Sequence, residues 1–179
     1  MIELYAIAEQ PPPDVPSPLV TVPAGSLVAV CGPADDEVTP ETLWDRETVL
    51  EGLMADRNLL PVRYGTRVED EEAAARAVEE RREHLAAALE RVRGAVELSV
   101  RAVGEAGGAV HEPLLALARD AVVGRPQGPE THRAAYLVDR AAVQEFVDTV
   151  AALQRTTTNV QVLCTGPWPP YSFVAEEER

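Results

Sequence analysis

The chain has 179 residues, of which 46% are apolar and 26% charged, a composition typical of a folded protein of one large or two small domains. Its formal net charge of −14 disfavours partners such as nucleic acid or an anionic membrane surface, because both would repel it. No apolar run approaches the roughly 18 residues of a membrane-spanning helix, and Met1 leads directly into a strand-like segment. We therefore expect a cytoplasmic protein without a transmembrane helix or signal peptide.

The first part of the chain is predicted to combine short strands with one well-marked helix. Residues 2–8 read as a first strand, and residues 19–22 and 26–31 as two more that form a hairpin. Thr39 is predicted as the N-cap of a helix and Pro40 as its first residue. The apolar stripe of this helix comprises Leu43, Leu50, Leu53 and Met54.

A long charged helix is predicted at the end of the first domain. Residues 59–66 read as a short strand that closes in a glycine turn. Thr66 and Glu69 have the spacing of a capping box, which predicts a helix from there to about Arg93. Its narrow apolar stripe suits either packing on one face of a sheet or a coiled-coil seam with another chain. The members of that stripe are Ala74, Val78, Leu85, Leu89 and Val92.

The second half of the chain alternates strands and helices. Strands are predicted at residues 96–101, 131–138 and 159–165 from their period of two. Asp139 is predicted as the N-cap of the last helix. Pro113 fits the start of an earlier helix that buries Leu114, Leu117, Ala118, Ala121 and Val122.

With one further short strand near residues 126–133, the order becomes βαββαβ, which is that of a ferredoxin-like domain. Right-handed crossovers would place both helices on one face of its antiparallel sheet. The sequence thus predicts an α+β protein.

The tail after the last strand is rich in proline and aromatic residues, although only 4% of the chain is aromatic. Gly166 and Pro167 are predicted to end the strand, because proline has no N–H to donate. Trp168, Tyr171 and Phe173 follow among further prolines, which stiffen the chain and can hold the rings outward at little entropic cost. Either the protein's own sheet or a partner receives these rings.

The spacing of reactive side chains indicates no catalytic, cofactor or metal site. His84, His111 and His132 lie far apart in sequence without ligand spacing, and are predicted to be surface or capping residues. No serine occupies a GxSxG elbow. Cys31 and Cys164 are isolated in apolar strand patterns, which predicts buried thiols rather than a disulfide. The chain is therefore not expected to be an enzyme.

Three stretches together resemble the GvpF/GvpL family of gas vesicle proteins. One is the opening strand from Leu4 to Ile7, and another is the block from Val49 to Met54 that leads into Leu60-Pro61-Val62-Arg63-Tyr64-Gly65-Thr66. The third and most specific ends in Gly166-Pro167-Trp168-Pro169-Pro170-Tyr171-Ser172-Phe173. One departure is that the family often has a histidine in the helix before the Leu60 block, where Arg46 or its neighbours stand here.

The resemblance implies an α+β protein of two small domains. Residues 1–93 would form an N-terminal α+β domain with the long charged helix at its end, and residues 94–179 would form a ferredoxin-like domain onto which the tail folds. It also implies a non-enzymatic accessory or minor structural protein of the gas vesicle. It implies binding to the hydrophobic shell protein GvpA and to other vesicle proteins during assembly, which would limit aggregation. No cofactor is implied. The expected contact surface, or tail-docking site, comprises Arg63, Tyr64, Trp168, Tyr171 and Phe173. The alternative is a regulatory module that binds a small ligand through the ferredoxin-like domain.

Overall fold

A computed structural model of the chain describes residues 1–34, 38–55 and 57–174. The chain divides into two compact units, Met1–Arg93 and Gly94–Phe173. Each unit contains an antiparallel sheet with helices, so the protein has a mixed α/β fold.

The sheet of the first unit is organised around its first strand, β1 (Ile2–Ala8). This strand pairs on one side with β3 (Leu27–Pro33), which in turn pairs with β2 (Val20–Ala24). The predicted hairpin is thereby confirmed. On its other side β1 pairs with β4 (Leu59–Pro61) and β5 (Arg67–Val68), so the strand predicted over residues 59–66 is interrupted after Pro61.

The first helix, α1 (Pro40–Met54), begins as its cap signals predict. The Thr39 hydroxyl accepts from the Thr42 amide at 3.2 Å, and the Thr39 amide donates to the Thr42 hydroxyl at 3.0 Å. The predicted apolar stripe is wrong at one position, because Leu43 is 44% exposed. The buried face instead contains Arg46, which is 4% exposed and has its own buried partners.

The predicted long helix is two consecutive helices, α2 (Glu71–Glu80) and α3 (Arg82–Val92). The capping box predicted from Thr66 is wrong, because the Thr66 carbonyl accepts from the Leu4 amide and the next two residues join the sheet as β5. Asp70 caps α2 by accepting from the Ala73 amide. Arg81 separates the helices, and α2 contacts β2 and β3 while α3 contacts β4. The predicted apolar stripe therefore covers different strands before and after the break.

The second unit has the order strand, helix, strand, strand, helix, strand. The elements are β6 (Ala95–Val103), α4 (His111–Leu115), β7 (Asp120–Val123), β8 (Glu130–Asp139), α5 (Val143–Thr156) and β9 (Gln161–Trp168). Their antiparallel sheet has the strand order β7-β8-β6-β9. Side chains of α4, α5 and one face of this sheet form a single core that includes Leu98, Leu114, Tyr136 and Phe146.

Two predicted boundaries in this unit are wrong. The helix that begins near Pro113 ends at Leu115, and the residues expected at its end form β7, upstream of the position predicted for a hidden strand. The reason is the neighbouring strand, because β8 carbonyls accept from the Arg119 amide at 2.8 Å and the Gly124 amide at 2.9 Å. Asp139 pairs with Arg119 instead of capping α5, which starts after a 3₁₀ turn.

The last strand continues through Gly166 and Pro167, where it was predicted to end. Thr165 pairs with Ser99 and Trp168 pairs with Glu97, so β9 contains one more residue than β6 at this point, as in a β-bulge. Proline is tolerated at a bulge because its missing N–H interrupts no ladder hydrogen bond.

Gly166 makes this bulge possible, since its φ is +116° and an added Cβ would lie 2.7 Å from the Glu97 carbonyl oxygen. We expect Gly166→Ala to lower the free energy of unfolding by about 3 kcal/mol, from backbone strain and the steric clash together. Gly128→Ala is the matched control, because Gly128 also has a positive φ, of +59°, but open space around it. Urea denaturation should show a cost of about 1 kcal/mol for the control. Equal costs for the two variants would refute the role of the close approach to Glu97.

Candidate partner-binding surface

The five residues predicted to form one surface belong to two different units. Arg63 and Tyr64 lie in the first unit, in the loop between β4 and β5. Trp168, Tyr171 and Phe173 lie in the second unit, at and after the end of β9. Each group has its own network of contacts.

A buried ion pair holds the loop that carries Arg63 and Tyr64. Glu3 is 1% exposed and accepts through Oε1 from Nη1 of Arg46 and, at 2.9 Å, from the Gly65 amide. Nη2 of Arg46 donates to the Leu4 carbonyl at 2.7 Å and to the Val62 carbonyl at 2.8 Å. This one guanidinium therefore joins β1 to the chain leaving β4, and the carboxylate fixes the following turn.

Tyr64 is part of the same network. The Arg46 guanidinium carbon lies 4.2 Å from the ring centroid of Tyr5 and 5.4 Å from that of Tyr64, within the range of cation–π attraction. The Tyr64 hydroxyl donates to Oγ1 of Thr42 at 3.2 Å, which attaches the loop to the start of α1. The Arg63 side chain, in contrast, is exposed. Of these two predicted residues, Tyr64 orders the loop and Arg63 is the one presented to solvent.

The tail of the second unit is anchored through Glu97 on β6. The Glu97 carboxylate accepts from the Ser172 amide and from the Ser172 hydroxyl, each at 2.9 Å. Burial raises the pKa of Glu97, and the two hydrogen bonds from Ser172 act in the opposite direction. Phe173 is 1% exposed. These contacts hold the tail at both its polar and its apolar residues.

Trp168 and Tyr171 remain half-buried, on either side of two buried prolines. The Trp168 indole donates to Oγ1 of Thr165 at 3.2 Å, which fixes the ring beside its own strand. The three aromatic residues predicted for the binding surface thus differ in exposure. Phe173 is a core residue, whereas Trp168 and Tyr171 retain surface that another molecule can contact.

The structure also brings together a polar cluster that sequence spacing missed. Nδ1 of His111 lies 2.8 Å from the Tyr136 hydroxyl, and Nε2 of His132 lies 3.1 Å from the same oxygen. Tyr136 is fully buried and His132 is 6% exposed, so the prediction of surface or capping histidines is wrong for His132. One signal was available: His132 and Tyr136 are four residues apart in a strand, and so share the face of β8 that forms the core.

The pKa shifts in this cluster favour the uncharged forms of His132 and Tyr136. Burial lowers the pKa of His132, with a smaller contribution from His111 in the same direction. Burial also raises the pKa of Tyr136, so its hydroxyl stays protonated and can donate to one imidazole while it accepts from the other. Because this phenol stays protonated, it cannot act as a general base at neutral pH.

Other reactive groups give no site within the described residues. Burial raises the pKa of Cys31 to about 11, as expected for the predicted buried thiol, whereas Cys164 is only half-buried. Residues 1–34, 38–55 and 57–174 contain no cluster of three or more His, Cys, Asp or Glu side chains suited to a metal ion. None of the helices described here combines the length and apolar character needed to cross a membrane.

The fold is that of a mixed α/β protein with two antiparallel sheets. The family model for gas vesicle synthesis protein GvpL/GvpF matches residues 4–108 and 102–175. These matches extend over most of the chain, so the protein belongs to the GvpL/GvpF family of gas vesicle proteins. This family consists of gas vesicle proteins and is not a known enzyme family.

Two relatives from Streptomyces sp. (strain CB03234) agree with this assignment. Gas vesicle protein F is 27% identical over 214 aligned residues, covering 90% of each chain. Gas vesicle protein L is 28% identical over 185 aligned residues, covering 74% of this chain and 69% of the relative.

Two crystal structures share the fold. GvpF from Anabaena sp. PCC7120 superposes with a TM-score of 0.82 at 16% identity, covering 99% of this chain and 97% of that one. GvpF from Microcystis aeruginosa gives a TM-score of 0.81 at 17% identity, covering 98% and 99%.

Removing one partner of the buried pair should destabilise the first unit strongly. We expect Arg46→Met to lower the free energy of unfolding by about 3–5 kcal/mol, because Glu3 would keep a buried charge without its cation. The double variant Glu3→Leu with Arg46→Met should recover most of that loss in urea denaturation. Arg76→Ala is the control: it breaks an ion pair whose side chains are 57% and 84% exposed, and should cost less than about 1 kcal/mol. A double variant no more stable than Arg46→Met would contradict this explanation.

Stability should fall on acidification because of His132. Its pKa in the folded protein is lower than the ordinary value of 6.5, so the unfolded chain binds a proton that the folded chain resists. The contribution of His132 is complete above pH 6.5 and declines as the pH falls below that value. We expect His132→Gln to flatten the dependence of unfolding free energy on pH in this window. An unaltered slope in His132→Gln would refute the assignment.

Proposed function

We propose that this protein is a non-enzymatic accessory or minor structural component of gas vesicles. In this role it binds the hydrophobic shell protein GvpA, together with other vesicle proteins, and limits their aggregation during nucleation and assembly. Membership of the GvpL/GvpF family supports the gas vesicle part of the proposal. The place of action would be the gas vesicle and the cytoplasm where it is assembled.

The partner-binding part of the proposal rests on the tail, which is anchored but incompletely buried. Ser172 and Phe173 fix its backbone, so Trp168 and Tyr171 are held in place before a partner arrives. A partner that contacts preorganised rings loses less conformational entropy than one that must order a flexible segment. Tryptophan and tyrosine are also among the residues that contribute most to protein interfaces.

The strand that carries Trp168 adds a second kind of contact. Among the strands that the structure describes, β9 pairs with β6 alone, so it is an edge strand of its sheet. An edge strand can extend its sheet by pairing with a strand of another protein, and a shell subunit with an apolar face needs such a cover to avoid self-association. The net charge of −14 would keep the resulting complex in solution.

Each of the two units would contribute its own residues to partner binding. We propose that residues 1–93 and 94–179 act as two domains, the second of them ferredoxin-like with the tail packed on its sheet. The strand order β7-β8-β6-β9, with both intervening helices contributing to one core, supports this assignment. Arg63 would contact a partner from the first domain. Tyr64 would hold the loop that carries Arg63 in place, and Phe173 would hold the tail that carries Trp168 and Tyr171.

Co-expression with GvpA tests the proposal. We expect the wild-type chain to keep GvpA in the soluble fraction and to co-purify with it. The double variant Trp168→Ala with Tyr171→Ala should retain at least about tenfold less GvpA than the wild type, because central aromatic residues contribute much of the binding energy of an interface.

The control is Val123→Ala with Val147→Ala, which removes two exposed apolar side chains from the same unit. It should retain GvpA like the wild type. Circular dichroism of each purified variant checks that the fold is intact. If the wild-type chain fails to retain GvpA, binding to the shell protein is wrong; if both double variants retain it equally, the tail is not the binding surface.

A further inference from the structure

The N-terminal half of α1 presents an apolar patch to solvent in the first unit. Trp44 is 66% exposed, Val38 is 66% exposed and Leu43 is 44% exposed. Val38 and Leu43 occupy the positions on either side of the Thr39 cap that commonly form a hydrophobic staple, and Trp44 is next to Leu43 on the helix. Both staple positions and the adjacent tryptophan therefore remain on the surface.

The exposed charged side chains of α1 are acidic. Glu41, Asp45 and Glu51 are exposed on α1. Within the described helix Pro40–Met54, the single basic residue is Arg46, which is buried against Glu3 on the other side. The exposed face of α1 is thus a tryptophan-centred apolar patch with an acidic border.

We propose that this face of α1 binds a cationic amphipathic helix of a partner protein. Apolar residues of such a helix would cover Trp44 and Leu43, and its Lys or Arg side chains would meet Glu41 and Asp45. Tryptophan at the centre of a patch with charged residues at its rim is the arrangement typical of binding hot spots.

The acidic border also makes two other occupants of this face unfavourable. In a twofold dimer formed through α1, the acidic border of one copy would face the acidic border of the other, which is unfavourable. An anionic lipid surface would be repelled for the same reason. A positively charged protein segment is the occupant that satisfies both the apolar and the acidic parts of the face.

This inference goes beyond the proposed function, because it assigns a second surface and does not require that the tail bind GvpA. The probe is a fluorescently labelled synthetic peptide of Leu and Lys that forms an amphipathic helix of about five turns. Anisotropy titrations with the full chain measure its dissociation constant. A peptide of the same pattern with Glu in place of Lys should not bind.

Trp44→Ala tests the apolar centre, and Glu41→Lys with Asp45→Lys tests the acidic border. We expect each to raise the dissociation constant at least about tenfold. The matched controls are Val20→Ala, which removes another exposed apolar side chain of the first unit, and Glu80→Lys with Glu83→Lys, which makes the same change in net charge elsewhere in that unit. Both controls should bind within about twofold of the wild type.

The inference is overturned if the Leu and Lys peptide does not bind, or if the two charge-reversed variants weaken binding equally, which would show attraction by net charge alone. It is also overturned if Trp44→Ala binds like the wild type. Sedimentation of the free chain adds a third check, because a dimer that Trp44→Ala dissociates would assign this face to self-association.

Discussion

The first unit depends on one buried interaction between Glu3 and Arg46. Arg46 comes from a helix and Glu3 from the central strand, and their hydrogen bonds extend to the Leu4, Val62 and Gly65 backbones. Two charges can stay buried only if their partners are in place, so the pair constrains strand, helix and loop to one mutual arrangement. This constraint explains how a loop with little regular structure can hold Tyr64 in a defined position.

The second unit holds buried polar side chains through hydrogen bonds. Its core contains one phenol shared by two imidazoles, and its other polar anchor is Glu97, which receives two hydrogen bonds from Ser172. Both arrangements fix a polar side chain by satisfying its hydrogen-bonding capacity inside an apolar environment. The proposed binding surface lies next to this anchor, because Trp168 and Tyr171 flank Pro169 and Pro170 and precede the anchored Ser172.

Sequence patterns predicted the elements that depend on local chemistry and missed those that depend on distant partners. The Thr39 cap and the first hairpin follow from residues close in sequence, so they could be recognised. The β7 strand exists because β8 offers hydrogen-bonding groups to residues 119–124, and the helix break at Arg81 involves neither glycine nor proline. Periodicity identified Leu43 as buried because it treats Arg46 as a polar residue, whereas tertiary structure gives that arginine three hydrogen-bond acceptors.

The chain contains two tryptophans, and they fall one in each unit: Trp44 on α1 and Trp168 at the end of β9. Indole emission responds to solvent contact, and the two rings differ in that respect, since one is exposed and the other half-buried. A chain with either ring replaced by phenylalanine therefore has a single tryptophan, which belongs to one unit. The protein carries a separate optical reporter for each half, so that their unfolding can be followed independently without an added label.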